Sequence, residues 1–261
     1  MSERWDEGEA YDRFMGRWSR PVASRFVDWL GIAPDADWLD VGCGTGSLLG
    51  TIARSSSPHR LAGVDRSAAF VATAQGRLVD AELSVADAQE LPFGQGVFDA
   101  TVSGLVLNFI PDPAAALAEM ARVTRPGGVV GIYVWDYADG MEFLRRFWEA
   151  ATAVDPSGEV HDEGLRFPIC KPGPLRSLFV AAGLPEVMTS AITVHTTFAS
   201  FDDYWQPFLA GQGAAGAYVA RLPNTRRETL AEAVRGRLPV ATDGSIDLLA
   251  RAWAVRGTVR G

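Results

Sequence analysis

Glycines at alternate positions mark one short segment of the chain as a candidate ligand-binding loop. The segment begins at Asp40, continues through Gly42, Gly44 and Gly46, and is followed by an amphipathic run of residues. Glycine permits a tight turn and lets a ligand approach the backbone without a Cβ in the way, and the free N–H groups of a following helix point to the same place. Such a loop between a strand and a helix is typical of a nucleotide-like cofactor site. A structural turn without a ligand is the alternative.

The spacing of these glycines separates the loop from two other nucleotide-binding loops. The dinucleotide fingerprint G-x-G-x-x-G requires a third glycine where this chain has Ser47, and a phosphate-binding P-loop requires a lysine that the sequence lacks there. The loop therefore has the spacing G-x-G-x-G. A nicotinamide-dependent oxidoreductase stays open as an alternative, although it would need the missing glycine.

Two carboxylates follow at the ends of the next two expected strands. Asp65 can accept hydrogen bonds from both hydroxyls of a ribose. Asp87 can accept one from the amino group of an adenine, while a neighbouring backbone N–H contacts a ring nitrogen. The structural alternatives are a helix N-terminal carboxylate at Asp65 and an ordinary loop cap at Asp87. Three consecutive strand ends thus point to one adenosine-containing ligand.

Short apolar runs that alternate with longer amphipathic runs predict the elements that carry these residues. This rhythm is typical of βαβ units and of a parallel sheet. We expect five successive strands at residues 38–41, 61–64, 83–86, 98–103 and 129–135. Helices are expected at 47–54, 67–78 and 114–123, with Ser67 as an N-cap and a turn at 125–128.

Beyond residue 136 two longer segments interrupt the alternation. Helices are expected at 141–154 and 175–182, and strands at 187–196 and 246–255. The segments 137–173 and 198–240 fall outside the βαβ rhythm, so we expect them to be helical cap insertions on a single domain that spans 1–261.

Four sequence blocks carry a family resemblance: Asp-Val-Gly-Cys-Gly-Thr-Gly at 40–46, Gly-Val-Asp-Arg-Ser at 63–67, Ala-Asp-Ala-Gln-Glu-Leu-Pro-Phe at 86–93 and Phe-Asp-Ala-Thr-Val-Ser at 98–103. Together they resemble the class I S-adenosylmethionine-dependent methyltransferases, in particular the methyltransferase type 11 group similar to ubiquinone- and menaquinone-biosynthesis enzymes. The resemblance covers about residues 11–135. It implies a Rossmann-like, doubly wound α/β fold whose seven-stranded sheet has the order 3-2-1-4-5-7-6, with strand 7 antiparallel.

The resemblance also implies a cofactor, a product and a set of contacts. The cofactor would be S-adenosylmethionine, with S-adenosylhomocysteine as the product and no metal. Asp40 and the loop backbone would hold the methionine end, Asp65 the ribose and Asp87 the adenine. The expected cofactor-binding residues of these blocks and of the segment after the fourth strand are Asp40, Gly42, Cys43, Gly44, Gly46, Asp65, Arg66, Ser67, Asp87, Ala88, Gln89 and Leu105.

The segment before the first strand resembles the part of such proteins that folds over the cofactor, so residues 1–30 are expected to cover it. Arg17 would pair with the cofactor carboxylate, and Tyr11 would contact the sulfonium through a cation–π interaction. The alternative is a surface helix that packs Phe14 and Trp18 inward.

No residue is assigned as a catalytic acid or base. Methyl transfer from a sulfonium is an in-line displacement, for which placement of the nucleophile supplies most of the acceleration. Asn108 stands near a position where many similar proteins have a histidine, and an amide cannot serve as a general base. An ordinary helix-end asparagine is the alternative. Among the histidines, only His161 is a candidate base, with a solvated loop residue as the alternative. His59 precedes the second strand at the wrong end of the sheet, and His195 is expected to be structural.

The two insertions suggest two further hypotheses about the acceptor. The first carries a net charge of −4 between residues 137 and 170, which would repel anionic acceptors, unless these residues form a solvated helix face and loop. The second carries an aromatic stripe that would roof the acceptor or, alternatively, pack in a core. The stripe consists of Phe198, Phe201, Tyr204, Trp205 and Phe208. The glycine-rich residues 211–216 would let this helix move as a lid.

Composition narrows the classes of partner. The net charge of −8 and the pI near 5.0 disfavour nucleic acid and anionic membrane surfaces. Cys43 and Cys170 lack metal-ligand spacing and are expected to be reduced thiols, and the sequence shows no signal peptide or apolar span, so we expect a cytoplasmic protein. A small-molecule acceptor without an obligate protein partner is expected. A non-catalytic, cofactor-binding regulatory protein stays open as an alternative.

Overall fold

The computed structural model describes the backbone of residues 8–260 and the side chains from Gly16 onward. These residues form one seven-stranded sheet flanked by helices. The strands are β1 (Asp37–Val41), β2 (Arg60–Asp65), β3 (Glu82–Val85), β4 (Phe98–Gly104), β5 (Thr124–Trp135), β6 (Met188–Phe198) and β7 (Ile246–Thr258). Their order is β3-β2-β1-β4-β5-β7-β6, which confirms the order that the resemblance implied.

Hydrogen bonds establish the direction of the strands. β1 pairs in parallel with β2 and β4, β2 with β3, and β4 with β5. Next to β5, the N–H of Gly127 donates to the carbonyl of Val259 at 2.9 Å, and the N–H of Asp136 donates to the carbonyl of Arg251 at 2.9 Å. Residue numbers therefore rise along β5 as they fall along β7, so strand 7 is antiparallel as expected.

Ten α-helices accompany the strands in the part of the chain that the structure describes: α1 (Gly8–Leu30), α2 (Ser47–Ser55), α3 (Ala68–Arg77), α4 (Pro113–Val123), α5 (Glu142–Val154), α6 (Glu163–Arg166), α7 (Pro172–Ala181), α8 (Phe201–Leu209), α9 (Gly213–Arg221) and α10 (Asn224–Arg235). Ser67 caps α3 by accepting from the N–H of Phe70, which confirms the expected N-cap. Asp112 caps α4 by accepting from the N–H groups of Ala114 and Ala115, and Pro113 fills the first helical position.

The expected turn at 125–128 is wrong, because β5 begins at Thr124 and includes these residues. Thr124 pairs with Phe98, and the next pair along β4 joins Ala100 to Val129, so the extra residues form an irregularity in the ladder. Gly127 has φ +79°, a backbone conformation that favours glycine. Turn residues here bend a continuous strand instead of ending it.

The chain folds into two compact units. Among the described residues, the core unit comprises Ser19–Val134, Ile169–Ile192 and 252–260, and the insertion unit comprises 8–18, Trp135–Pro168 and Thr193–Arg251. In the core unit, α1 packs closely on β5: a Cβ added at Gly131 would lie 2.6 Å from Cδ2 of Leu30. Phe26 packs on the ring of Tyr133 with centroids 4.6 Å apart.

The insertion unit has its own aromatic core. The ring of Phe208 stacks on Phe143 and on Phe147, with centroids 4.5 Å apart in both pairs. The hydroxyl of Tyr204 donates to the carbonyl of Phe143 at 2.7 Å, so this buried phenol is satisfied. None of the helices described between residues 8 and 260 is long and apolar enough to cross a membrane.

Candidate cofactor site

The glycine-rich loop adopts a conformation that only glycine adopts easily. Gly42, Gly44 and Gly46 have φ values of +78°, +53° and +86°. A Cβ at Gly42 would lie 2.6 Å from a methyl carbon of Val106, and one at Gly46 would lie 2.9 Å from Leu78. At Gly44, by contrast, a Cβ would meet nothing within 4 Å in the described chain, so this backbone faces open space.

Hydrogen bonds fix the loop on the second strand. The N–H groups of Gly42 and Cys43 both donate to the carbonyl of Val64, at 2.8 and 2.9 Å. Asp65 accepts from the N–H of Gly44 at 2.9 Å through Oδ2 and from the N–H of Ser67 at 2.8 Å through Oδ1. One carboxylate therefore joins the ends of β1 and β2 while remaining partly exposed.

Asp40 is the least exposed charged residue of the predicted site. It is only 1% exposed, and neither carboxylate oxygen has a hydrogen-bond partner with normal geometry among the described residues. Burial, and then the charge of Asp65, raise the pKa of Asp40 to about 8, and the nearby backbone N–H of Leu49 offsets this only in part. An unpaired carboxyl group thus lies buried at the start of the loop.

Asp87, Ala88 and Gln89 form a tight turn after β3. Oδ1 of Asp87 accepts from the backbone N–H and from the side-chain amide of Gln89, at 2.9 and 3.0 Å. These bonds, together with the charge of Arg66, lower the pKa of Asp87. Asp87 and Arg66 are exposed, so the carboxylate is ionised and accessible to a ligand.

Leu105 has φ +64°, although it is not a glycine. Its side chain is buried, and its N–H donates to the carbonyl of Tyr133 at 2.8 Å, which helps to hold the unusual backbone in place. Backbone strain of this kind costs about 1 to 3 kcal/mol and concentrates at functional sites. The sequence does not predict this strain, because a leucine gives no indication that its backbone adopts a positive φ.

The core unit therefore brings together the predicted residues of β1, β2 and β3 and of the segment after β4. Arg17 lies in the insertion unit instead. Its guanidinium makes two hydrogen bonds to Asp203, at 2.9 and 3.0 Å, one to the carbonyl of Thr197, and lies over the ring of Phe198. The side chain of Tyr11 lies outside the described residues. The cofactor contacts proposed for Arg17 and Tyr11 stay predictions.

The aromatic stripe of the second insertion lies in the core of the insertion unit. Phe201 and Trp205 are each 7% exposed, and Tyr204 and Phe208 are fully buried, which supports the packing alternative. Residues 213–216 are part of α9, and a Cβ at Gly216 would lie 2.7 Å from the backbone of Gly211. Close packing explains the glycine at this position, and motion of the helix as a lid stays a prediction.

Ion pairs and hydrogen bonds engage five of the seven acidic residues between 137 and 170. Glu142 accepts from the N–H of Leu249. Arg146 pairs with Glu149, Arg226 with Asp155 and Arg145 with Asp162, and the indole N–H of Trp148 donates to Glu163. Three of these five carboxylates pair with arginines and two accept from neutral N–H groups, so most of the acidic side chains are held by contacts within the protein, which supports the alternative of a solvated helix face and loop.

The histidines provide no pair of acid and base at the loop. His59 pairs with Asp37 at 2.7 Å, and His195 lies 3.1 Å from Asp247 on an exposed surface. His161 packs near Tyr218, and its pKa is lowered by burial and by the charges of Arg221 and Arg166. Sequence reasoning assigned no ligand contact to Asn108, whose amide is unpaired within the described structure.

The fold and the loop define a class of protein. A sheet of this order, with a glycine-rich loop after β1 and carboxylates after β2 and β3, is the architecture that the resemblance implied. Residues 39–132 match the family model described as a methyltransferase domain. This part of the chain is therefore similar to a methyltransferase domain.

Individual relatives agree with this assignment. A demethylmenaquinone methyltransferase from Renibacterium salmoninarum is 38% identical over 117 residues, which cover 43% of this chain and 45% of the relative. A 2-methyl-6-phytyl-1,4-hydroquinone methyltransferase from Synechocystis is 29% identical over 212 residues, covering 74% of this chain and 65% of the relative. The chain spans only 36% to 45% of the length of the first curated relatives it matches.

The solved structure of phosphoethanolamine N-methyltransferase 2 from Haemonchus contortus shares the fold. It aligns with a TM-score of 0.61 at 16% identity and covers 97% of this chain and 57% of that one.

Proposed function

We propose that the core unit binds S-adenosylmethionine at the carboxyl ends of β1, β2 and β3 and that the protein transfers the methyl group to a small molecule. The buried, unpaired carboxyl group of Asp40 carries this proposal. A buried carboxylate without a donor is costly, so a site that keeps one requires a ligand that supplies donors or positive charge. The α-amino group of the cofactor's methionine end has both.

The surrounding residues fit the rest of the cofactor. The backbone at Gly44 leaves room for close approach, and Asp65 uses only one N–H donor on each oxygen, so lone pairs remain for ribose hydroxyls. The exposed carboxylate of Asp87, with Ala88 and Gln89 beside it, suits the adenine. Cys43, Arg66, Ser67 and Leu105 complete the proposed wall.

With S-adenosylmethionine bound there, the site would hold an activated methyl carbon: the acceptor atom would bond to this carbon while the carbon–sulfur bond broke and its electron pair passed to sulfur. The protein's task is then to place the acceptor atom in line and to keep water out. No described residue at the loop is assigned as a base for a proton that the acceptor loses. The segment 1–30 and the insertions 137–173 and 198–240 are proposed to cover the cofactor and to select the acceptor.

The names of relatives support small acceptors: demethylmenaquinone and a phytyl hydroquinone are ring compounds that carry hydroxyl or carbonyl groups. Formation of S-adenosylhomocysteine from S-adenosylmethionine, followed by mass spectrometry with such ring compounds, tests the proposal. Product should form with the native protein and should form more slowly with Asp65→Ala when S-adenosylmethionine is limiting. Tight cofactor binding without product from any acceptor would instead favour the regulatory alternative.

A further inference from the structure

Asn108 carries an unsatisfied amide beside the proposed site. The residue lies in a short 3-10 turn, Leu107–Phe109, directly after β4. Both its Nδ2 and its Oδ1 are buried, and neither atom has a hydrogen-bond partner in the described chain. Buried amides are almost always paired, so an amide with both atoms unpaired requires an explanation.

The position of this turn is fixed from both ends within the core unit. On one side, Val106 occupies the space that a Cβ of Gly42 would fill, so the turn packs against the glycine-rich loop. On the other side, the N–H of Asp112 donates to Oε1 of Gln89 at 3.1 Å, which joins the turn to the loop after β3. Leu105, with its unusual backbone, lies two residues before the turn. Asn108 is therefore held between the two loops proposed to bind opposite ends of the cofactor.

The chemistry of an amide restricts its partner. It presents N–H donors and a carbonyl acceptor side by side and has no charge at any ordinary pH. An ammonium group would satisfy only the carbonyl, and a carboxylate only the N–H groups. A hydroxyl, which both donates and accepts, or a hydroxyl next to a carbonyl, would satisfy both atoms.

We propose that Asn108 binds the methyl acceptor and selects one that presents an un-ionised hydroxyl, alone or beside a carbonyl. This inference rests on the proposed methyl transfer and specifies its acceptor class. Because the amide atoms are shielded from water in the free protein, the acceptor must displace the groups that cover them. The hydrogen bonds then form only in the complex, where they orient the acceptor.

Asn108→Leu tests whether the amide contributes to the stability or to the cofactor affinity of the free protein, because leucine has nearly the same shape as asparagine. We expect the variant to melt at the same temperature or up to about 4 °C higher, since an unpaired polar group is removed. Its affinity for S-adenosylhomocysteine should stay within about twofold of native. Asn224→Leu, at an exposed position on α10, controls for the change of residue type. A markedly lower melting temperature, or loss of S-adenosylhomocysteine binding, would assign the amide to the fold or to the cofactor and overturn the proposal.

Acceptor specificity is tested with two para-disubstituted benzenes, 1,4-hydroquinone, which presents hydroxyl groups, and 1,4-bis(aminomethyl)benzene, which presents amino groups. The native protein should methylate the hydroquinone in preference to the diamine, and Asn108→Leu should lower the rate with hydroquinone at least about tenfold. Preference for the diamine, or an unchanged rate in the variant, would refute the role of Asn108. If the native protein binds S-adenosylmethionine but methylates neither compound, the proposed acceptor class is refuted. Failure to bind S-adenosylmethionine at all would instead contradict the proposed function itself.

Discussion

The carboxylate of Asp65 holds the backbone of Gly44, through a hydrogen bond of 2.9 Å from the Gly44 N–H to Oδ2. The second oxygen accepts from the N–H of Ser67, so Asp65 orders the loop after β1 and the start of α3 together. The residue proposed to bind the ribose is thus also part of the scaffold that shapes the loop. Its replacement should affect stability as well as affinity.

Asp65→Ala should weaken S-adenosylmethionine binding at least about tenfold, because two charge-assisted hydrogen bonds to the ribose are lost. It should also lower the free energy of unfolding by roughly 1 to 3 kcal/mol, since the N–H groups of Gly44 and Ser67 lose their acceptors. Calorimetry measures the first effect and urea unfolding the second. Asp247→Ala, which removes an exposed carboxylate in the insertion unit, is the matched control. Native affinity in a folded Asp65→Ala protein would remove Asp65 from the ribose site.

Asp40 should make the free protein less stable as the pH rises. Its carboxyl has a pKa of about 8 in the folded protein, against an ordinary value of 3.8, so the folded state retains a proton that the unfolded state loses. The stabilisation from this proton is complete below pH 3.8 and is lost progressively as the pH rises towards 8. Asp40→Asn, which cannot ionise, should therefore be more stable than native at pH 8, by on the order of 3 kcal/mol. The two proteins should have similar stability near pH 4.

Urea unfolding of both proteins at several pH values measures this difference. Native stability that falls no faster with pH than that of Asp40→Asn would show that the carboxyl ionises without cost. The same variant should bind S-adenosylmethionine more weakly than native, because the amide lacks the charge that pairs with an α-amino group. A variant more stable than native yet weaker in cofactor binding is the expected combination.

Trp205→Ala should damage the fold of the insertion unit without weakening the cofactor site. Trp205 is 7% exposed and packs between the rings of Phe201 and Phe208, at 6.0 and 5.6 Å. Loss of such a side chain costs roughly 3 to 5 kcal/mol. Thermal unfolding should show a clearly lower melting temperature, whereas Leu209→Ala, at an exposed position on the same helix, should change it little. Near-native stability with impaired acceptor use would instead restore the roof hypothesis.

The strand pattern and the glycine spacing were sufficient to predict the first five strands and the loop. Apolar runs that end at Val41, Val64 and Val85 are buried or partly buried strands followed by short loops, so periodicity and loop chemistry agree there. The start of β5 was not predictable in this way. Pro126 and Gly127 are turn residues by type, but Val259, directly after β7, exchanges hydrogen bonds with Gly127 and Gly128 that keep this bent segment in the sheet. Pairing with a distant strand outweighed the local preference.

Properties of the site that depend on distant contacts could not be predicted either. Nothing in the sequence indicates that both oxygens of Asp40 are buried, because that burial depends on the packing of α2 and β2. The aromatic stripe from Phe201 to Phe208 illustrates the same limit. Helical spacing predicted a shared face correctly, but only the packing of α5 against it identified that face as a core.

Titration calorimetry with S-adenosylmethionine tests the central claim most directly. The native chain should bind one molecule of S-adenosylmethionine, or of S-adenosylhomocysteine, per protein, and Asp65→Ala should bind both at least about tenfold more weakly. NAD, which shares the adenosine but requires the glycine replaced by Ser47, should bind far more weakly. Native protein that binds NAD but not S-adenosylmethionine, or that binds neither, would contradict the account.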